Sequence, residues 1–95
     1  IVLDPGIGFG KPPEQCMTAI ARLNELRVFG LPLLVGASRK RFISSVAPSE
    51  PHQRLGGSIA AHLIAARGGA RIIRTHDVLE TVQALRVAAA IEDRQ

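Results

Sequence analysis

Three short apolar runs, Ile1-Val2-Leu3, Leu33-Leu34-Val35 and Ile72-Ile73, each end in a glycine-rich or polar turn that leads into a helical pattern. The runs are continuous and not alternating, as in strands buried on both faces of a parallel sheet. Strand, turn and helix repeated in this order restrict the chain to an α/β architecture. The turns are Asp4-Pro5-Gly6, Gly36-Ala37-Ser38 and Arg74-Thr75-His76-Asp77.

The helical patterns are equally local. Cys16, Ala19, Ile20, Leu23 and Leu26 recur at helical spacing after Pro12-Pro13, with Gly30 as the stop. The second connection has two parts. A short helix near Arg39 to Val46 and a loop from Pro48 to Pro51 precede a helix from about Gln53 to Arg67, whose apolar face is Leu55, Ile59, Leu63 and Ala66; Gly68-Gly69 ends it. The last helix presents Val78, Val82, Leu85 and Ala89, and opens on Asp77 and Glu80, a capping-box variant with Asp as N-cap. Leu3, Val35 and Ile73 are separated by the roughly 30 or more residues of a βαβ unit. A (β/α)8 barrel of about 250 residues spends about 31 on each unit, so this length suits three. Residues 1–95 are therefore expected to be an incomplete domain, the C-terminal three βα units of a (β/α)8 TIM barrel; a fragment of a doubly wound sheet is the alternative.

Composition removes several function classes. No run approaches the roughly 18 apolar residues of a membrane span, and no signal-peptide pattern opens the sequence, so a cytoplasmic location without membrane contact is expected. Cys16 is the single cysteine and no Cys/His cluster has structural-zinc spacing, which leaves packing to hold the fold. The net charge of +4 favours anionic partners. Nucleic acid fits poorly: the aromatics are three Phe with no Tyr or Trp to stack bases, and cations cluster only at Arg39-Lys40-Arg41. A small phosphorylated ligand fits better.

Chemistry concentrates at the strand ends. Asp4-Pro5-Gly6-Ile7-Gly8-Phe9-Gly10-Lys11 is neither a P-loop, because Pro5 and Pro12 stand where Gly and Ser/Thr are required, nor a dinucleotide fingerprint, because Lys11 replaces the third glycine. It leaves a carboxylate at a strand end and a loop able to lie against a flat ligand, or a carboxylate that merely caps its turn. Arg39-Lys40-Arg41 at a helix start oppose the helix dipole, so a bound anion or a facing carboxylate is expected there. Arg74 and His76 alternate onto one side of the third strand end, an arrangement suited to a diphosphate. Cys16 reads as core, His62 as a helix-surface residue, His52 as solvated, and Arg54, Arg67, Arg71 and Arg86 as solvent-facing or salt-bridged.

Together DPGIGFGK, LPLLVGASRKRF and RTHDV, with GGSIAAHLIAARGGARI between the last two, resemble the C-terminal part of the dihydropteroate synthase family. The resemblance implies strands six to eight of the barrel and a reaction joining 4-aminobenzoate to 6-hydroxymethyl-7,8-dihydropterin diphosphate, with dihydropteroate and diphosphate as products. Asp4 would accept hydrogen bonds from the pterin's amino and ring N–H groups. Gly8 and Phe9 would form pocket wall, Arg39 would flank the pterin, and Lys40 would reach its polar edge beside the 4-aminobenzoate site. Arg74 and His76 would hold the diphosphate, sharing its charge with Mg2+, whose protein ligand the resemblance assigns to the barrel's N-terminal half. Lys40, Arg74 and His76 are thus the expected catalytic residues. Arg41 stands where many family members have Ser, and would bind the 4-aminobenzoate carboxylate by charge or turn away.

The resemblance also implies a homodimer and sulfonamide binding. Three units alone leave open strand edges and an exposed sheet face, so the isolated chain is expected to be inactive and to unfold or associate. Two other readings are another pterin-binding barrel, such as a methyltetrahydrofolate methyltransferase, which leaves Arg74 and His76 without a diphosphate, and a non-catalytic anion-binding fragment.

Overall fold

A computed structural model describes all 95 residues. The elements are α1 (Pro13–Ala21), a 3-10 helix Leu23–Phe29, β1 (Leu33–Val35), α2 (Arg41–Val46), a 3-10 turn Pro51–Gln53, α3 (Leu55–Arg67), β2 (Ala70–Ile73) and α4 (Val78–Glu92). β1 pairs in parallel with β2, Leu33 opposite Ala70, Leu34 opposite Ile72 and Val35 opposite Ile73. The first apolar run lies beside β1, where Leu3 N–H donates to Pro32 O at 2.9 Å and Leu3 O accepts from Leu34 N–H at 2.9 Å. It makes this one parallel bridge and not the strand expected over Ile1-Val2-Leu3; Ile1 is fully exposed.

The spatial order of the three segments is their chain order, as in successive strands of a barrel and also on one side of the reversal in a doubly wound sheet. Right-handed crossovers taken in that order put every helix on one face. Accordingly α1 packs on α3, and α3 on β2 and α4. The core lies between, built from Ile7, Cys16, Ile20, Leu23, Leu33, Val35, Ala37, Phe42, Ile43, Ala61 and Ala65. β1 is fully buried on the face of Leu33 and Val35 and half-buried on that of Leu34, short of the burial on both faces expected. β2 is covered less: Ile72 remains 41% exposed, because helices cover only one side of it.

Several helix readings need correction. α1 stops at Ala21, where Arg22 leaves helical geometry, and the periodicity continues through a 3-10 helix to Gly30 at φ 66°. α2 starts at Arg41 and not at Arg39, which has φ 57°. The buried face of α3 is Ser58, Ala61, His62 and Ala65, not Leu55, Ile59, Leu63 and Ala66. His62 is therefore fully buried and not on the surface, and Arg54, two turns ahead, is buried and not solvent-facing. This face meets the turn after β1, whose backbone groups need polar partners that Leu and Ile cannot supply, while alanines permit close approach. On α4 the inward residues are Thr81, Ala84, Leu85 and Ala88, and Val78 and Val82 face out. Asp77 sits at the N-cap position but its carboxylate caps nothing and forms no box with Glu80.

The accessible surface is 6253 Å² for 10.1 kDa, against roughly 5,300 Å² for a compact monomer of that mass. Ile64, Ile72, Val78, Leu79, Val87 and Ile91 all contribute apolar surface to the excess. The isolated 95-residue chain is therefore expected to sediment as a mixture of associated species. A single monomeric boundary with a cooperative urea transition would contradict this.

Candidate active site

Parallel strands align their carboxyl ends, so the three turns meet on one side of the sheet. The first begins at Asp4, whose Oδ1 accepts the Gly6 N–H at 2.8 Å. This turns the chain and leaves the carboxylate exposed. Lys11 Nζ donates back to Pro5 O, and buried Ile7 pins the loop to the core. Gly8 has φ 85°, and a Cβ there would lie 2.9 Å from Lys40 Cδ. Only glycine admits both that backbone and the passing lysine chain. Lys40 Nζ then stands 4.6 Å from the Phe9 ring centroid, a cation–π contact joining the first turn to the second.

The second turn is gripped by α3. Ala37 N–H donates to His62 Nε2 at 3.0 Å, and Arg39 N–H donates to Ser58 Oγ at 2.8 Å. Arg54 Nη1 donates to Arg39 O at 3.0 Å, while Ser58 Oγ–H donates to Arg54 O at 2.7 Å. A left-handed non-glycine residue costs about 1–3 kcal/mol, and these bonds hold Arg39 there on both its backbone groups. Residue-by-residue reading missed Arg54, Ser58 and His62. Their signal is polar recurrence at every fourth position, which puts all three on one helix face.

Ser38 ties the second turn to the third. Its hydroxyl is buried, lies 2.7 Å from His76 Nδ1 and accepts the His76 N–H at 3.1 Å. One hydroxyl thus meets both the ring and the backbone N–H of His76, and no hydrogen bond engages His76 Nε2. Arg39 Nη2 and Nε donate to the two Asp77 oxygens at 2.8 and 3.3 Å. The facing carboxylate expected near the cation cluster is thus Asp77. The Arg39 hydrogen bonds hold the Asp77 carboxyl below its ordinary range, and the same bonds raise Arg39. Arg74 lies over Gly36, where a Cβ would be 3.1 Å from both Nε and Nη2.

Two groupings emerge from the expected residues. Lys40 joins Gly8 and Phe9, and Arg74 and His76 join the Gly36–Ser38 turn. A cleft of about 1030 Å³ is lined by Gly8, Lys11, Arg39, Lys40 and Arg41 among others, and Asp4, Phe9, Arg74 and His76 lie outside its wall. Arg39 is neutralised, whereas Lys11, Lys40, Arg41 and Arg74 have no carboxylate partner. No three His, Cys, Asp or Glu side chains converge on a metal position.

Because Asp77 is depressed in the fold, its tie to Arg39 stabilises above the ordinary carboxylate value and is lost as pH falls through and below it. Asp77→Asn is expected to lower the urea midpoint at neutral pH and to flatten the acid limb of stability below about pH 4. Urea midpoints measured across pH for both proteins check this.

A family described as pterin binding enzyme matches residues 1–76. Dihydropteroate synthase of Escherichia coli K12 is 52% identical over 90 residues, 95% of this chain and 32% of that protein. Its Synechocystis counterpart is 47% identical over 92 residues, 96% and 32%. The chain thus spans about a third of the length of these relatives. Among solved structures, Xanthomonas albilineans dihydropteroate synthase in complex with 7,8-dihydropteroate superposes with TM-score 0.92 at 46% identity, over 96% of this chain and 36% of that one. The Yersinia pestis enzyme in a sulfonamide drug complex gives 0.92 at 47%, over 99% and 34%. With a family match over most of its length and a shared backbone, the chain belongs to the pterin-binding enzyme family.

Proposed function

We propose that residues 1–95 form the C-terminal three βα units, strands six to eight, of a (β/α)8-barrel dihydropteroate synthase. The observation that carries this reading is the placement of uncompensated Lys40 and Arg74, with His76, at adjacent strand ends, each against the turn that precedes it. About half-identity to named dihydropteroate synthases, one solved with 7,8-dihydropteroate, supports it.

In this reading Asp4 accepts hydrogen bonds from the pterin's amino and ring N–H groups with the lone pairs that Gly6 leaves free. Gly8 and Phe9 wall the pocket, and Arg39, fixed on Asp77, flanks the pterin through its ordered turn. Lys40 reaches the pterin's polar edge. Arg74 and His76 hold the diphosphate. The C–O bond to the diphosphate breaks with its electron pair leaving on oxygen, and fixed donors stabilise that charge as it develops. The arylamine lone pair forms the C–N bond and the amine releases a proton, so no covalent enzyme intermediate is needed. Exposed Arg41 takes the 4-aminobenzoate carboxylate by charge. The Mg2+ that accompanies the diphosphate takes its protein ligand from outside these residues. Folate synthesis by a cytoplasmic homodimer completes the proposal.

The test is release of diphosphate with formation of dihydropteroate. Lys40→Ala and Arg74→Ala are each expected to lower kcat/KM in the intact enzyme by about a hundredfold or more. Arg74→Ala is expected to leave affinity for a dihydropterin lacking the diphosphate unchanged. Full activity of Lys40→Ala, or a product other than diphosphate, would defeat the assignment.

A further inference from the structure

His62 is the one fully buried imidazole of the chain, and the reaction outlined above does not use it. It stands four residues after Ser58 and eight after Arg54, so three polar side chains share one face of α3 and hold the backbone of residues 37–39. Within this set the His62 bond is chemically distinctive. Its Nε2 accepts the Ala37 N–H at 3.0 Å, so Nε2 bears no proton and the neutral ring carries one on Nδ1. Nδ1 is buried without any partner. An orphaned buried donor is costly to retain, and a leucine or alanine would avoid it. What the imidazole gives in return is an acceptor for Ala37, whose residue is itself fully buried next to Ser38.

We propose that His62 is a positioning residue of the active site: its neutral Nδ1–H tautomer holds the turn after β1 in place, and protonation releases that turn. The proposal rests on the dihydropteroate synthase reading for its activity arm alone. The connection is short. Ala37 precedes Ser38, whose hydroxyl orients His76, and Ser38 precedes Arg39 and Lys40. Protonating Nε2 would turn an acceptor into a donor facing the Ala37 N–H, and the turn must then move. Burial alone disfavours the charged ring; no charged group contributes. Glu14 on α1, Arg71 on β2, and Glu80, Arg86 and Glu92 on α4, the charged groups of the elements packed around α3, are all exposed. His76 reaches His62 only through Ser38 and Ala37.

Nitrogen-15 NMR tests the geometry directly, because an N–H···N bond transmits a scalar coupling between its two nitrogens. In the labelled intact enzyme a coupling between Ala37 N and His62 Nε2 is expected above pH 7, with imidazole shifts of the Nδ1–H tautomer. Below the ordinary histidine value of about 6.5, the coupling should vanish while the amide signals of residues 37–39 and 76 move with the His62 midpoint. His76 is followed through its own ring signals. His62→Gln, whose amide oxygen accepts the same N–H without titrating, should abolish that common transition. In the intact enzyme His62→Leu is expected to lower kcat about tenfold with KM for pterin diphosphate little changed, the counterpart of one lost hydrogen bond. His62→Gln should recover most of that loss and lack the acid limb of kcat that follows the His62 midpoint. An Nε2–H tautomer, a His62 titration to which residues 37–39 do not respond, or an acid limb unchanged in His62→Gln overturns the proposal. Should His62→Leu fail to fold, the coupling and the glutamine variant still decide. An enzyme without condensation activity would count against the function, and the NMR arm would decide the role of His62 independently.

Discussion

The backbone of Ala37, Ser38 and Arg39 leaves the sheet at β1 with polar groups that no strand takes up, in a region where Ala37 and Ser38 are 0% and 3% exposed. Buried amides without partners are expensive, so the element packed against this turn must carry acceptors. α3 does so with Ser58 and His62, and supplies Arg54 as the donor for the Arg39 carbonyl. The left-handed conformation of Arg39 follows from that grip. Lys40 then emerges extended, at the start of α2, with its aliphatic chain running over Gly8.

The same turn decides which charges are free. Arg39 and Asp77 lie 38 positions apart in sequence and meet as a bidentate pair with the Asp77 side chain 14% exposed. Neutralising one cation in this way removes one like-charge repulsion from the cluster and anchors the start of α4 to the turn after β1. The remaining cations, Lys40, Arg41 and Arg74, keep their full charge for a ligand.

Much of this architecture is written locally. The apolar runs ending in Asp4-Pro5-Gly6, Gly36-Ala37-Ser38 and Arg74-Thr75-His76 mark the strand ends because punctuation by glycine, proline and polar residues acts within a few positions. The proline start of α1 and the left-handed stop at Gly30 are of the same kind. What is not local is illegible to periodicity. The Leu55, Ile59, Leu63 pattern ranks an apolar face on α3, yet the helix turns its Arg54, Ser58 and His62 side inward because the neighbouring turn, not the helix itself, sets the demand. Likewise Asp77 has the position of an N-cap, and only the folded chain brings it the guanidinium that competes for its carboxylate.

One device recurs between successive strand ends. Lys40 of the second turn lies over Gly8 of the first, and Arg74 of the third lies over Gly36 of the second. In each pair a Cβ on the glycine would come within 3.1 Å or less of the cationic side chain. Each long side chain is thereby laid along a backbone surface of the preceding turn. Electrostatic stabilisation of a leaving group depends on donors that need not reorganise as charge develops. In the proposed reaction the glycines matter through space they leave empty: a methyl group at Gly36 would meet the Arg74 side chain, and one at Gly8 would meet Lys40 and also strain a backbone at φ 85°.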